Sequence, residues 1–471
     1  MKEEREDFRD EDIIGAVNRF KNSLISGRTK YFDVAEFEGI VEQLLEEGDL
    51  QSSEIAAKQG IRIHPNAIPL QLKYAQILIS KGSYAKSLSY LKTAEQVDST
   101  NPDVHLLKGS AQMIMGNETD ALLSFRTAIK YAGADVDEIL YQIGSVYGQI
   151  GNFRKAVKYL DKAVQANPKN ESALYDLGFY FDQDNQLHKS IEFYNRYLDI
   201  DPFNQYVWFN LGSVYNKTEN HKQAIEAFEF AYALNDKFYM ALFNIGNALA
   251  NAEKFNEAIE KYHEFLAHEP ENDEAYCYIG ECYLNTEDYS KSKNNYLKAI
   301  ELNKNNDTAW FGVGLIYWIE QNFEKSIYHV KKAIKLDDEN SEYWLTLGKI
   351  SKDSGEKNKA IYALKNAIRR EPENNEIWLT WTDTYLKFEE SGNAIRILKK
   401  AIKNNADVLL KYRLIALYFE LDKKEEAFEL LPIALMQDYK KVEFLFDLNK
   451  ELRNDKRIKK VLKEFEIYGR N

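Results

Sequence analysis

Glycine stands at 144, 178, 212, 246, 280, 314 and 348, one fixed step of 34 residues after another. A period of that size marks an array in which each unit is one supersecondary element stacked on its neighbours. The constraint is severe. Such a chain buries its core between successive repeats rather than around one centre, so an array can grow as a single structural unit. A length of 471 residues therefore need not be divided among several globular domains.

One repeat shows the pattern: DEILYQIGSVYGQIGNFRKAVKYLDKAVQANPKN, residues 137–170. Leu140, Ile143 and Tyr147, then Ala156, Leu160 and Ala163, follow helical spacing in two runs. QIGN supplies the turn between them, and Pro168 closes the second helix. The unit is predicted to be a helix, a tight turn and an antiparallel helix. A glycine inside a helix costs about 0.8–1 kcal/mol against alanine. Seven such costs in register make sense where two helices approach closely, so Gly144 is expected to face Ala156 and Ala163, and Gly348 to face Ala360 and Ala367.

These columns resemble the tetratricopeptide repeat. Trp208-Phe209-Asn210-Leu211-Gly212, Tyr215, Ala224, Phe228 and Ala231 fit its W-x2-LG-x2-Y, Ala, aromatic, Ala pattern, and Trp310, Trp344 and Trp378 occupy the leading tryptophan column later on. The register gives units starting at 34, 68, 102, 137, 171, 205, 239, 273, 307, 341, 375 and 408. The unit from 102 is one residue longer at Tyr131–Val136, and that from 375 one shorter around Asn404–Val408. The expected organisation is an acidic lead-in helix over 1–33, the array over 34–441 and capping helices over 442–471. The glycine column decays at both ends to Val41, Ala75, Thr382 and Ile415, as suits terminal repeats that meet water. The resemblance implies an all-α fold, a right-handed superhelix of about twelve helix-turn-helix repeats whose first helices line a concave groove.

With 75 Asp and Glu against 62 Lys and Arg, the net charge is -13, which argues against a nucleic-acid partner. The start, MKEEREDFRDED, lacks the apolar core of a secretory signal. The longest apolar run, Phe311–Ile319, is too short to span a bilayer. Cys277 and Cys282 lie five apart on one helix, so neither a disulfide nor a shared metal is expected, and free thiols suit a cytoplasmic location. No cofactor or metal site and no catalytic constellation is legible. The seven histidines form no His-x3-His pair, Gly312-x-Gly314 meets Tyr317 where a third glycine would be needed, and Asp182-Gln183-Asp184 lacks the rest of a calcium loop. Enzymatic chemistry is not expected.

Function should lie in the groove columns. Three residues before each ruler glycine stand Tyr141, Tyr175, Phe209, Phe243 and Phe311, with Cys277 breaking the row. These rings are either pockets for a partner's side chains or supports for the neighbouring helix. Beside them Asn210 and Asn244 follow Gln142 and Asp176, and Asn216, Asn247 and Asn251 would face the same channel. Amides carry donors and acceptors, so such a row can hold an extended peptide by its main chain. Trp318 and Ile319 extend an apolar stripe from Phe311 and Leu315 towards the groove. Between 137 and 306 the groove columns offer one cation, Lys217, among Glu138, Asp176, Asp182, Glu274 and Glu281, so basic or neutral segments fit better than acidic tails. The expectation is an adaptor binding protein or peptide partners. A peptide sensor that changes its coil on binding, or a self-associating scaffold, are the alternatives.

Overall fold

The computed structural model describes residues 3–26, 30–405 and 407–466, so residues 1–2 and 27–29 of the expected lead-in helix and 467–471 of the expected closing segment lie outside it. The described residues are helices and turns without strands, in two compact units, Met1–Asp236 and Lys237–Asn471. In the first unit the helix Glu3–Ser26 packs on Val34–Glu46, the opening helix of six consecutive pairs. In the second, six more pairs run from Met240–Asn251 to Lys424–Gln437, followed by Glu443–Leu448 and Lys456–Phe465. Within each unit a helix packs chiefly on the helices next to it in sequence, as the array requires. The extra residue near 133 is absorbed in a short 3-10 turn, Gly133–Asp135.

Two local devices punctuate the repeats. Each first helix ends in a left-handed residue: Gly151 (φ 76°) in one pair, and Asn185, Glu219, Glu253, Glu287 and Gln321 (φ between 55° and 61°) in the next five. The following N–H turns back onto the helix: Asn152 to the Tyr147 carbonyl, Asn220 to Tyr215 and Asp288 to Tyr283, each at 2.9 Å. This is the Schellman closure, which satisfies carbonyls orphaned at the helix end. The first helices in turn begin with asparagine. The side chains of Asn170, Asn204, Asn272, Asn306, Asn340 and Asn374 accept hydrogen bonds from N–H groups of the first turn. At the corresponding place before Met240–Asn251 stands Phe238, and no side chain caps that helix.

The ruler glycines do mark close approach, but the expected partner is corrected. The nearest neighbour is the large side chain sixteen residues on, not the alanines. A Cβ on Gly144 would lie 2.9 Å from Leu160 Cγ, on Gly178 2.6 Å from Tyr194 Cε1, and on Gly246 2.6 Å from Tyr262 Cε1. Ala156 contributes its carbonyl oxygen, 3.3 Å from the Gly144 position. The reason is volume. The small residue twelve positions on, Ala156, Ser190 or Ala258, brings the second helix near, and the ring or leucine one turn later then needs the space that a missing Cβ leaves. Where serine replaces the first alanine, its hydroxyl donates to the glycine carbonyl: Ser190 to Gly178, Ser292 to Gly280 and Ser326 to Gly314, each at 2.7 Å.

The tryptophan column ties each helix to the loop before it. Nε1 of Trp208, Trp310, Trp344 and Trp378 donates to the carbonyl six residues earlier, on Pro202, Lys304, Asp338 and Pro372. No described helix is long and apolar enough to cross a membrane.

Candidate partner-binding surface

In the first unit the candidate residues sit on the first helices Val136–Gln149, Glu171–Gln183 and Gln205–Lys217. Tyr141 and Tyr175 are half-buried, and Tyr175 stands edge-on to Tyr194 and Tyr197. Asn210 reaches back one repeat, its Nδ2 donating to Tyr175 Oη at 3.1 Å. Phe209 stands edge-on to Phe228 at 5.4 Å, and Asn216 Oδ1 lies 3.1 Å from His221 Nδ1. Lys217 is neutralised by Asp182 of the preceding first helix, at 2.7 Å.

In the second unit Phe243 is only 8% exposed, enclosed by Tyr262, Phe265 and Tyr278. It supports the neighbouring helices rather than lining an open pocket. Asn247 Oδ1 accepts from the buried Tyr262 hydroxyl at 2.8 Å, and Asn244 Nδ2 donates to the Met240 carbonyl one turn back. Asn251 is exposed at the helix end. Trp318 is half-buried, its Nε1 donating to Asp353 of the next repeat at 3.1 Å. Three of the amides thus already serve the repeats: Asn210 and Asn247 hold tyrosines, and Asn244 bonds its own helix. An uninterrupted row of open amides is not formed.

What the first helices enclose instead is a pair of recesses at equivalent repeat positions, one in each unit. The first, about 440 Å³, is framed by Tyr141, Glu171, Tyr175, Asp176, Tyr197 and Tyr206, with Ser172 and Asn204 at its edge. The second, about 290 Å³, lies three repeats later among Asp273, Glu274, Cys277, Tyr278, Asn306 and Asp307. Neither lining contains Lys or Arg. Their charges differ in state. Asp273 accepts from Asn303 and Asn306 at 2.9 and 2.7 Å, and Asp307 from Tyr343 Oη at 2.6 Å. Asp176 has no hydrogen bond or ion pair among the described residues, and burial pushes its carboxyl up to about 6. Burial also drives the Cys277 and Cys282 thiols up to about 12, so both free cysteines are protonated and enclosed.

The sequence columns contained Tyr141, Tyr175 and Asp176 but missed Tyr197 and Tyr206 as members of the same recess. Tyr197 belongs to a second helix and Tyr206 to the opening of the next repeat. A signal for Tyr206 existed, an exposed aromatic beside the Asn204 cap, but no column argument selects it.

Paired helices in 34-residue units, a glycine seated under a large second-helix residue and a tryptophan tied to the preceding loop define an α-solenoid repeat of the protein-interaction type. Comparison with known proteins agrees. Tetratricopeptide-repeat family models match residues 141–205, 243–292 and 283–341, and 206–238 and 341–374. Residues 141–374 are thus shown to carry tetratricopeptide repeats. Over 99 residues it is 30% identical to cilia- and flagella-associated protein 70 of Homo sapiens, a match covering 21% of this chain and 9% of that protein's length. Among solved structures, MamA is 25% identical, covering 34% of this chain and 95% of that one, with a TM-score of 0.34. The Cut9–Hcn1 hetero-tetramer of the APC/C is 12% identical, covering 92% of this chain and 96% of that one, with a TM-score of 0.39.

Proposed function

We propose that the chain is a non-catalytic cytoplasmic adaptor that holds extended segments of protein partners along the first-helix faces of its repeats. The observation that carries this reading is the recurrence of the tyrosine- and acid-lined recess at equivalent positions three repeats apart. A recess on a first-helix face suits an extended segment, which advances about 3.3 Å per residue and places its side chains at intervals. The absence of lysine and arginine from both linings favours basic or neutral segments.

The test uses photo-crosslinking residues at exposed positions, since replacing Phe243 or Asn247 would damage packing. Benzoylphenylalanine goes at Tyr206 or Tyr278 on first helices, or at Tyr328 or Tyr362 on second helices; all four are exposed. Crosslinked peptides are then sequenced. A common partner segment attached at the first-helix positions, displaced by excess unlabelled chain and missing from Tyr328 and Tyr362, supports the adaptor. Crosslinks confined to second-helix positions refute the groove. Attachment only to other copies of this chain establishes the self-associating scaffold instead. If a synthetic peptide of the crosslinked sequence binds and changes the solution-scattering curve, the sensor reading replaces that of a passive adaptor.

A further inference from the structure

Within the first recess one group stands apart. Glu171 Oε2 lies 3.5 Å from Tyr197 Oη, Asn204 donates to the same hydroxyl at 2.9 Å while capping its own helix, and Asn210 donates to Tyr175. The Asp176 carboxylate alone among these polar groups has no hydrogen bond or ion pair from another described residue. Half-buried and away from any cation, it faces a cavity walled by phenol rings. A partly desolvated carboxylate without a partner is costly, and the surrounding fold does nothing to relieve it. Its neighbour one and a half turns on, Asp182, shows the contrast, being paired with Lys217.

We infer that the recess framed by Tyr141, Glu171, Tyr175, Asp176 and Tyr206 is a specificity pocket for a basic side chain, arginine or lysine, projecting from the bound partner segment. The inference rests on the groove reading of the preceding section and names the chemistry that the groove selects. A cation is attracted to the faces of the tyrosine rings and can form charge-assisted hydrogen bonds to Asp176, with Glu171 adding negative potential at the rim. A bound cation also returns to Asp176 the interaction it loses by leaving water. An apolar side chain would do the reverse, removing remaining water from the carboxylate and giving nothing in exchange. A metal ion is a poorer fit, because among the described residues no group of three or more His, Cys, Asp and Glu is placed to hold one. In the equivalent recess of the second unit Asp273 is held by Asn303 and Asn306 and Asp307 by Tyr343, the remaining carboxylate, Glu274, is exposed to water, and Tyr278 stands where the first recess has Asp176. Selection for the basic residue therefore resides at Asp176.

The experiment labels the tyrosines of the full chain with carbon-13 and titrates in Nα-acetyl-arginine N-methylamide, with the citrulline analogue as its uncharged counterpart. The arginine probe is expected to shift the ring signals of Tyr141, Tyr175 and Tyr206, and the citrulline probe to leave them in place. Asp176→Asn should weaken binding about tenfold or more, whereas Glu192→Gln, on the exposed side of a second helix, should leave it unchanged. Equal shifts from citrulline, no shift from arginine, an unaffected Asp176→Asn chain, or equal losses in Asp176→Asn and Glu192→Gln would each overturn the pocket. The two proposals fail separately. If arginine binds but no partner segment crosslinks at Tyr206, the pocket stands and the groove falls. If a segment crosslinks at Tyr206 equally well in wild type and Asp176→Asn, the groove stands and the pocket falls.

Discussion

Replacing Gly246 by alanine tests the packing account of the ruler most directly. The new Cβ would lie 2.6 Å from Tyr262 Cε1 and 2.8 Å from its Cδ1, well inside van der Waals contact. Tyr262 cannot swing away cheaply, because it is fully buried and its hydroxyl donates to Asn247. Overpacking of this kind costs about 1–3 kcal/mol. Alanine in a helix interior returns about 1 kcal/mol relative to glycine. The clash wins by about 1 kcal/mol, and so Gly246→Ala destabilises despite its better propensity. At Gly280 the contact to the Tyr296 ring is looser, 3.0 Å, and the two effects should nearly cancel. At Gly15, inside the helix Glu3–Ser26, nothing lies within 4 Å, and alanine should stabilise by about 0.5–1 kcal/mol. Long repeat arrays open in segments, so native-state hydrogen exchange is the appropriate assay rather than a single melting temperature. Amides of the helix Met240–Asn251 should exchange about fivefold faster or more in Gly246→Ala, while protection of the helix Glu3–Ser26 rises in Gly15→Ala. If Gly246→Ala gains protection as Gly15→Ala does, close approach is not what keeps glycine on the ruler.

Two further outcomes follow from buried titratable groups. The Asp176 carboxyl titrates at about 6 in the folded chain, above the ordinary carboxylate value near 3.9, so the folded state holds the proton more tightly. The penalty on folding is complete above about pH 6 and vanishes as pH falls below about 4, so Asp176→Asn should stabilise its helix by about 1–2 kcal/mol at pH 7, after discounting for solvent, and by little at pH 4. Hydrogen exchange of Glu171–Gln183 at the two pH values checks this, and equal effects at both would refute it. Cys277 and Cys282, enclosed and protonated, should react with a thiol-specific disulfide reagent at least a hundredfold more slowly than in denaturant. Absorbance of the released thiolate measures it, and rapid labelling of the native chain would show that the helix Asp273–Asn285 opens readily.

The repeat and its helical hairpins were legible because the signal is periodic: one glycine per unit, each in a helical run of apolar residues. A second ruler, just as regular, was invisible. Between Gly151 and Gly355 the left-handed turn residue is Asn185, Glu219, Glu253, Glu287 and Gln321, and of these five only the asparagine is of a type that adopts the conformation readily. The closing hydrogen bonds and the packing of the pair impose it on residues that disfavour it by roughly 1–2 kcal/mol. The asparagines were legible as types and misleading as a set. Asn170, Asn204, Asn272 and Asn306 cap helices, Asn210 and Asn247 position tyrosines, and sequence alone cannot separate those duties from peptide binding.

That division bears on where selectivity can evolve in such an array. Residues repeated in every unit are committed to the hairpin, and changing one of them damages packing before it changes a partner. Tyr175 illustrates the limit, since its hydroxyl accepts from Asn210 while its ring borders the recess, so structure and recognition share one side chain. Asp176 carries no such duty. At the equivalent positions in the following units stand Asn210, Asn244 and Tyr278, and none of these can supply a negative charge. A column whose occupant varies while the one after it stays aliphatic, as Leu177, Leu211, Ile245 and Ile279 do, is where one repeat can differ from the next without cost to the fold. The informative departure from the period is therefore Asp176, the carboxylate that no neighbouring side chain satisfies and that a basic group of the proposed partner would complete.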